Sequence, residues 1–411
     1  MSTLREDAQT VIEAALAAAQ PEKAVLRGLH QIQLRGGRLL VIAVGKAAWG
    51  MASAAWNALG LQIDQGLIIT PYGYSRGPLP RFAVMEAGHP TPDENSVIAT
   101  DAAIALVQGL SVNDTVLMLL SGGGSALFEK PLVSLPHYST ATDALFHSGA
   151  SITEMNIIRR RLSGVKGGRF AQLCAPAHVI GLLLSDVLGD APETIASGPI
   201  SPDPITSAEA EATLTRLFPH APDVFHTLMR RETPKMLPNA ETYVVGNVEM
   251  LVRGAARALR KLGYETMILT DRLNCEARDA GRFLSSIALT HQGETRSVAY
   301  LVGGETVVHL NGTGCGGRNQ ELALAAVPQL EGLKDTALFT LGSDGRDGPT
   351  DAAGGYVDAR TAGRLRAAQI DVNIALENND SYTALKTCGG LIVTGPTGTN
   401  VNDIAVVMIR R

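Results

Sequence analysis

The sequence predicts an α/β protein of two α/β domains, with mostly parallel sheets and a cleft between them. Three observations carry that expectation. A chain of 411 residues exceeds what one typical core organises. Short apolar runs alternate with helical segments along its length, the pattern of βαβ units. The glycine-rich acidic loop after one such run is joined by four more loops of the same style, and the C-terminal ends of strands are where open α/β sheets keep their ligands.

Composition narrows the class. Hydrophobic residues make up 45% and charged residues 18%, an ordinary globular balance. The net charge of −5 comes without long charged blocks, which argues against nucleic acid as a partner. No apolar run reaches membrane-spanning length, and the first residues lack the layout of a signal peptide. Cys174, Cys275, Cys315 and Cys388 are scattered without a C-x-x-C pair, as expected for a reduced, cytoplasmic protein. The histidines show no zinc-ligand spacing.

Residues 5–19 read as an amphipathic helix. Arg38–Val44 is a buried strand that runs into Gly45-Lys46 and then a helix. The residue five before Gly45 is Leu40, so this is not a Walker A loop. A lysine at a helix start opposes the helix dipole unless an anion sits there, which favours a functional Lys46 over a surface ornament. Strands follow at 66–70 and 82–86. His89, in G-H-P-T-P-D-E, reads as structural rather than catalytic, and Thr91 as the cap of the next helix. Asp114–Leu120 is the clearest central strand. It runs into Ser121, Gly122, Gly123, Gly124 and Ser125, whose backbone N–H groups can form a nest for phosphate or carboxylate oxygens; the alternative is a flexible linker.

A basic corner follows, with Asn156, Arg159, Arg160 and Lys166. It suits an anionic substrate, or equally a solvated helix end. Strand 178–184 leads to Asp186 and Asp190, which either serve chemistry or cap backbone turns. The domain boundary is placed near 237, giving domains 1–236 and 237–411. A new βαβ pattern then begins, with Glu305 after a Gly303-Gly304 turn that suggests a hairpin to a short strand at 307–310. Gly312–Gly317 satisfies G-x-G-x-x-G, but the weak strand before it and Arg318 and Asn319 after it make a dinucleotide fingerprint unconvincing. Gly342–Gly355 packs Asp344, Asp347 and Asp351 among five glycines. Such a loop suits an oxygen-seeking cation such as Mg²⁺, although Gly, Asp and Pro also dominate ordinary turns. The last strand, Ile404–Ile409, is left free to return to the first domain.

Taken together, V-G-K-A-A (44–48), G-H-P-T-P-D-E (88–94), S-G-G-G-S-A-L (121–127), V-K-G-G-R (165–169), S-D-V-L-G-D (185–190) and A-S-G-P (196–199) form an ordered set. G-G-E-T (303–306), G-G-R-N-Q-E (316–321), G-S-D-G-R-D-G-P-T-D-A-A-G (342–354) and T-G-P-T-G-T-N-V-N-D (394–403) complete it. The set spans the chain and resembles the type II glycerate kinase family with its C-terminal MOFRL domain, some members of which are called hydroxypyruvate reductases. The resemblance implies ATP-dependent phosphorylation of D-glycerate to 2-phosphoglycerate with a divalent metal, and matches the family's functional lysine and arginine to Lys46 and Arg318. Expected partners are therefore glycerate and a nucleotide, with a homo-oligomer left open. On chemistry, Asp190 is the candidate for the substrate hydroxyl. Ser121–Ser125, Asn156, Lys166, Asp186, Glu305 and Asn319 are candidates for substrate or phosphate, and Asp344 and Asp347 for Mg²⁺. The alternative is an NAD(P)H-dependent hydroxypyruvate reductase.

Overall fold

A computed structural model describes residues 2–411. The chain divides into two compact units, residues 21–245 and residues 1–20 with 246–411. The expected boundary near 237 thus falls before the last strand of the first unit, and the N-terminal helix belongs with the second.

The first unit is built on β1 (Leu39–Val44), β2 (Gln65–Pro71), β3 (Phe82–Ala87), β4 (Thr115–Leu120), β5 (His178–Leu184) and β6 (Ala240–Gly246). Their order is β3-β2-β1-β4-β5-β6, and β1 to β5 pair in parallel. The sequences explain this. β1 (LLVIAV) and β4 (TVLMLL) are buried at every position, as strands covered on both faces must be. Leu40, Ile42, Val44, Val116, Met118 and Leu120 share one core with Phe128 and Phe170. Each such side chain contributes roughly 1.5–3 kcal/mol by leaving water. The chain winds outward from β1 to β3, then returns to start again beside β1 with β4. That reversal opens a crevice at the carboxyl ends of β1 and β4. Helix Glu94–Leu106 is capped by Asp93, not Thr91: Asp93 accepts from the Ser96 N–H and the Ser96 hydroxyl accepts from the Asp93 N–H, a reciprocal cap.

The second unit carries β7 (Glu265–Leu273), β8 (Val298–Gly304), β9 (Thr336–Gly342), β10 (Gly354–Asp358), β11 (Leu391–Ile392) and β12 (Asp403–Ile409). Their order is β11-β10-β9-β12-β8-β7. β12 lies antiparallel between β8 and β9, so the last strand stays in this unit instead of returning to the first. Its run of Ile404 to Ile409 is buried on both faces, which a central position demands. The expected hairpin is absent: β8 runs on through Gly303 and Gly304, and Val307 makes one bridge to Glu276. These glycines serve packing rather than turning. A Cβ on Gly304 would lie 2.2 Å from the Leu273 carbonyl oxygen, and one on Gly303 would lie 2.6 Å from Val252. β10 escaped the sequence reading because its paired glycines look like loop. They are required where a Cβ on Gly354 would meet the Thr340 carbonyl oxygen at 2.0 Å.

Helix Leu4–Ala18 joins this unit through helix Val248–Lys261, where Gly254 leaves room for Ala18. The Tyr264 hydroxyl donates to Asp7 at 2.8 Å. Among the described residues no helix is long and apolar enough to cross a membrane.

Candidate active site

In the first unit, the crevice between β1 and β4 holds Gly45-Lys46 on one side and the tri-glycine loop on the other. The two loops are tied together: the Lys46 N–H donates to the Gly122 carbonyl at 2.8 Å, and the Ala47 N–H to the Ser121 hydroxyl at 3.1 Å. Gly45 cannot be replaced here, since its φ is +122° and a Cβ would sit 2.2 Å from Ser121 Oγ. Gly123 is left-handed at φ +87°, the conformation that turns successive N–H groups into a nest. Above it, a Cβ would lie 3.0 Å from His89 Nε2 and 3.4 Å from Lys46 Cγ. Lys46 and His89 therefore flank the same glycine.

Asp186, half-buried at the end of β5, also feels Lys46. Burial raises its carboxyl above the usual range, and the lysine charge opposes that rise. Asp190 occupies a left-handed turn at φ +58°, its N–H donating to the Val187 carbonyl. A hydroxyl chain continues from the nest: Ser125 Oγ lies 2.9 Å from Ser197 Oγ, and Ser197 donates to Asn156 Oδ1 at 3.1 Å. Ala196 and Ser197 both hold positive φ, at +51° and +60°. For non-glycine residues that conformation is costly, and it clusters at ligand sites. Arg159 closes this side by donating to the Ser125 carbonyl at 3.2 Å.

Lys166 lies elsewhere. It is fully buried, paired with an equally buried Glu129 and donating to the Phe128 carbonyl at 3.0 Å. Burial lowers its pKa to about 8, against the pull of Glu129. The ammonium is sealed in the interior, so this geometry supports a structural role and not the anion contact expected from sequence. Ser121 is also spent internally, its hydroxyl donating to the Val44 carbonyl.

In the second unit, β12 brings Asp403 level with Gly304 and Gly342, between the ends of β8 and β9. Arg318 Nε and Nη2 donate to the two oxygens of Asp403 at 2.5 and 3.0 Å, and Nη1 lies 2.9 Å from Glu305. Burial alone would lower the guanidinium pKa; the Asp403 hydrogen bonds and the charges of Asp403 and Glu305 instead raise it. Asp403 is pushed up by burial, with Arg318 opposing. Neither Asp403 nor Ser197 stood out in the sequence reading, although both lie within quoted motifs. An aspartate beginning an apolar strand was the available signal for the first.

Asp347 is buried against the start of helix Arg318–Leu330. One oxygen accepts from the Asn319 N–H at 3.1 Å, the other from the Gln320 N–H at 2.8 Å and its side-chain amide at 3.0 Å. Burial raises its pKa to about 6 despite those donors. Such a carboxylate anchors a helix terminus, which argues against the metal role expected for it. Asp344 accepts from the Arg346 N–H at 3.0 Å, and Asp351 from the Tyr382 hydroxyl at 2.8 Å on the exposed surface. Among the described residues no group of three or more metal-ligating side chains is placed to hold an ion. The glycines of 312–317 are packing residues: a Cβ on Gly312 would meet the Asn378 carbonyl oxygen at 2.3 Å, and one on Gly316 the Ser381 hydroxyl at 2.2 Å. The G-x-G-x-x-G match is thus explained by close approach of this loop to residues 378–381 and to Asp347.

Comparison with known proteins fits this arrangement. Residues 7–229 match the family model described as DUF4147, a domain of unknown function, and residues 298–403 match the MOFRL family. The chain is 48% identical to the D-glycerate 2-kinase of Thermotoga maritima, over 99% of each chain, and 39% identical to the glycerate 2-kinase of Pyrococcus horikoshii, over 99% of this chain and 97% of that one. Two Agrobacterium vitis proteins, each 39% identical, carry a hydroxypyruvate reductase name. A crystal structure of Thermotoga maritima glycerate kinase superposes with a TM-score of 0.94 over 99% of both chains. With both family models matched in order and full-length relatives this similar, the chain belongs to the glycerate 2-kinase family.

Proposed function

We propose that this protein is a glycerate 2-kinase, transferring the γ-phosphoryl group of ATP to the 2-hydroxyl of D-glycerate. The observation that carries this reading is the pairing of Lys46 with a glycine nest at the strand reversal of a parallel sheet. Phosphoryl transfer asks a protein for positioning and charge neutralisation rather than covalent chemistry. Lys46 supplies a point charge, and the backbone at Gly122 and Gly123 supplies N–H donors for phosphate oxygens; the Gly124 N–H donates to the Ser121 carbonyl. Asp186, which feels the Lys46 charge, joins Asp190 as a candidate to orient the substrate hydroxyl. In the second unit, Arg318 is held in a fixed plane by Asp403, and its remaining N–H groups, with Glu305 beside them, suit a carboxylate or phosphate.

Mg²⁺ bound to ATP would neutralise charge on the phosphates when present. The donor set fits an ion carried mainly by the nucleotide: Mg²⁺ is commonly held by one or two carboxylates plus substrate phosphates. Asp344 is the carboxylate of the acidic loop suited to that role, because both oxygens of Asp347 already accept from the helix start.

The test is direct. Pure protein with ATP, Mg²⁺ and D-glycerate should yield 2-phosphoglycerate, identified by ³¹P and ¹³C NMR, while NADH with hydroxypyruvate should remain unoxidised. Accumulation of 3-phosphoglycerate would correct the position attacked. Oxidation of NADH without phosphorylation would replace the kinase reading by the reductase one.

A further inference from the structure

His89 has no part in the chemistry assigned so far, yet it occupies the mouth of the glycine nest. The residue is exposed to solvent, while Nε2 and Cδ2 lie over Gly123, each 3.0 Å from where a Cβ would stand. Lys46 Cγ approaches the same point to 3.4 Å. A methyl group there would crowd the imidazole and reach contact with Lys46 Cγ, so the absence of a Cβ keeps open a space between the histidine and the lysine. We infer that His89 is a second cation of this site, donating from Nε2 to the same phosphate that the glycine nest and Lys46 hold.

The surroundings explain why the cation appears only with its ligand. Lys46, from the loop after β1, is the charged group that acts on the imidazole, and the tri-glycine loop brings no titratable side chain. Asp93, on the same loop as His89, is engaged by the Ser96 N–H and the Tyr72 hydroxyl. Crowding around the ring, then the Lys46 charge, lowers the imidazole to about 4, so it is neutral at physiological pH. A phosphate between the two side chains reverses the sign of the local field and favours the charged form. Binding should therefore carry a proton onto His89. In its neutral state the ring avoids repelling Lys46; in its charged state it adds a charge-assisted hydrogen bond to the anion.

This assignment rests on the kinase reading only in naming the anion as the phosphate of a phosphoryl donor, and inorganic phosphate tests it without turnover. Histidine-selective ¹³C labelling of the full chain, with His89→Asn to assign the signal, would follow the imidazole between pH 4 and 8. Saturating inorganic phosphate, and separately ADP, should raise the His89 midpoint by about one pH unit or more. Calorimetry in buffers of different ionisation heat should show proton uptake in wild type that His89→Asn abolishes, with phosphate affinity reduced about 5- to 10-fold. An unchanged His89 midpoint at saturating phosphate, or no phosphate binding at all, would overturn the inference. A shifted midpoint in a protein that fails to phosphorylate glycerate would retain the phosphate site and remove the kinase reading.

Discussion

The two units solve the placement of charge in different ways. In the first, parallel strands deliver their loops to one end of the sheet, and what collects there is backbone: glycines, a lysine, a histidine and few carboxylates. In the second, an antiparallel strand is inserted between β8 and β9, so the beginning of β12 arrives where its neighbours end. That inversion brings Asp403 against Arg318, so that one guanidinium sits between two carboxylates. One region gathers a lysine, a histidine and a glycine loop at the carboxyl ends of parallel strands. The other is a preorganised frame, in which acids fix the orientation of a guanidinium before anything binds. Catalytic electrostatics gain most from the second kind of arrangement, since no reorganisation is needed at the moment of reaction.

The largest effects should separate two lysines that look alike in sequence. Lys46→Met should lower kcat/KM about 1000-fold, of order 4 kcal/mol, with little change in melting temperature. Lys166→Met should do the reverse. It strands the buried Glu129 carboxylate, costing about 3–5 kcal/mol of stability, while the folded fraction keeps its turnover. Steady-state kinetics beside urea unfolding would decide; a catalytic collapse in stable Lys166→Met would return that lysine to the anion site.

A pH effect of about 3 kcal/mol should come from Asp347. Its folded pKa of about 6 lies above the usual 3.8, so the folded state holds the proton more tightly. Its contribution is fully present below about pH 4 and is lost as pH rises through 6. Wild type minus Asp347→Asn, compared by urea midpoints from pH 4 to 7.5, should fall across that window. A flat difference would show that the helix-start amides fully offset burial.

The smallest effect tests the frame itself. Arg318→Lys keeps the charge but cannot make the two-pronged contact with Asp403, and kcat/KM for glycerate should fall about 100-fold, near 2.7 kcal/mol. Activity equal to wild type would mean that a point charge suffices and that the planar lock is incidental.

Much of this was legible in the residues. Apolar runs such as LLVIAV and TVLMLL read as buried strands because they are only six residues long and end at glycine-rich loops, and those loops drew Lys46 and Gly122–Gly124 into view. The ordered motifs identified the family. What the sequence could not decide was which glycines lie against the Lys46 loop and which separate two packed backbones. Gly123, beneath His89 and Lys46, and Gly312, against the Asn378 carbonyl, look the same in one dimension. Long-range contact alone distinguishes them. The same holds for charges: Lys46 and Lys166, or Asp344 and Asp347, differ in what the rest of the chain places beside them. Strand insertion was likewise invisible, because local pattern fixes that Ile404–Ile409 is a buried strand but not which neighbours it pairs with. Residue chemistry and periodicity are written locally; partnership is set by burial and register between segments distant in sequence, and here that partnership assigns Arg318 to Asp403, 85 residues on, and seals Lys166 with Glu129, 37 residues back.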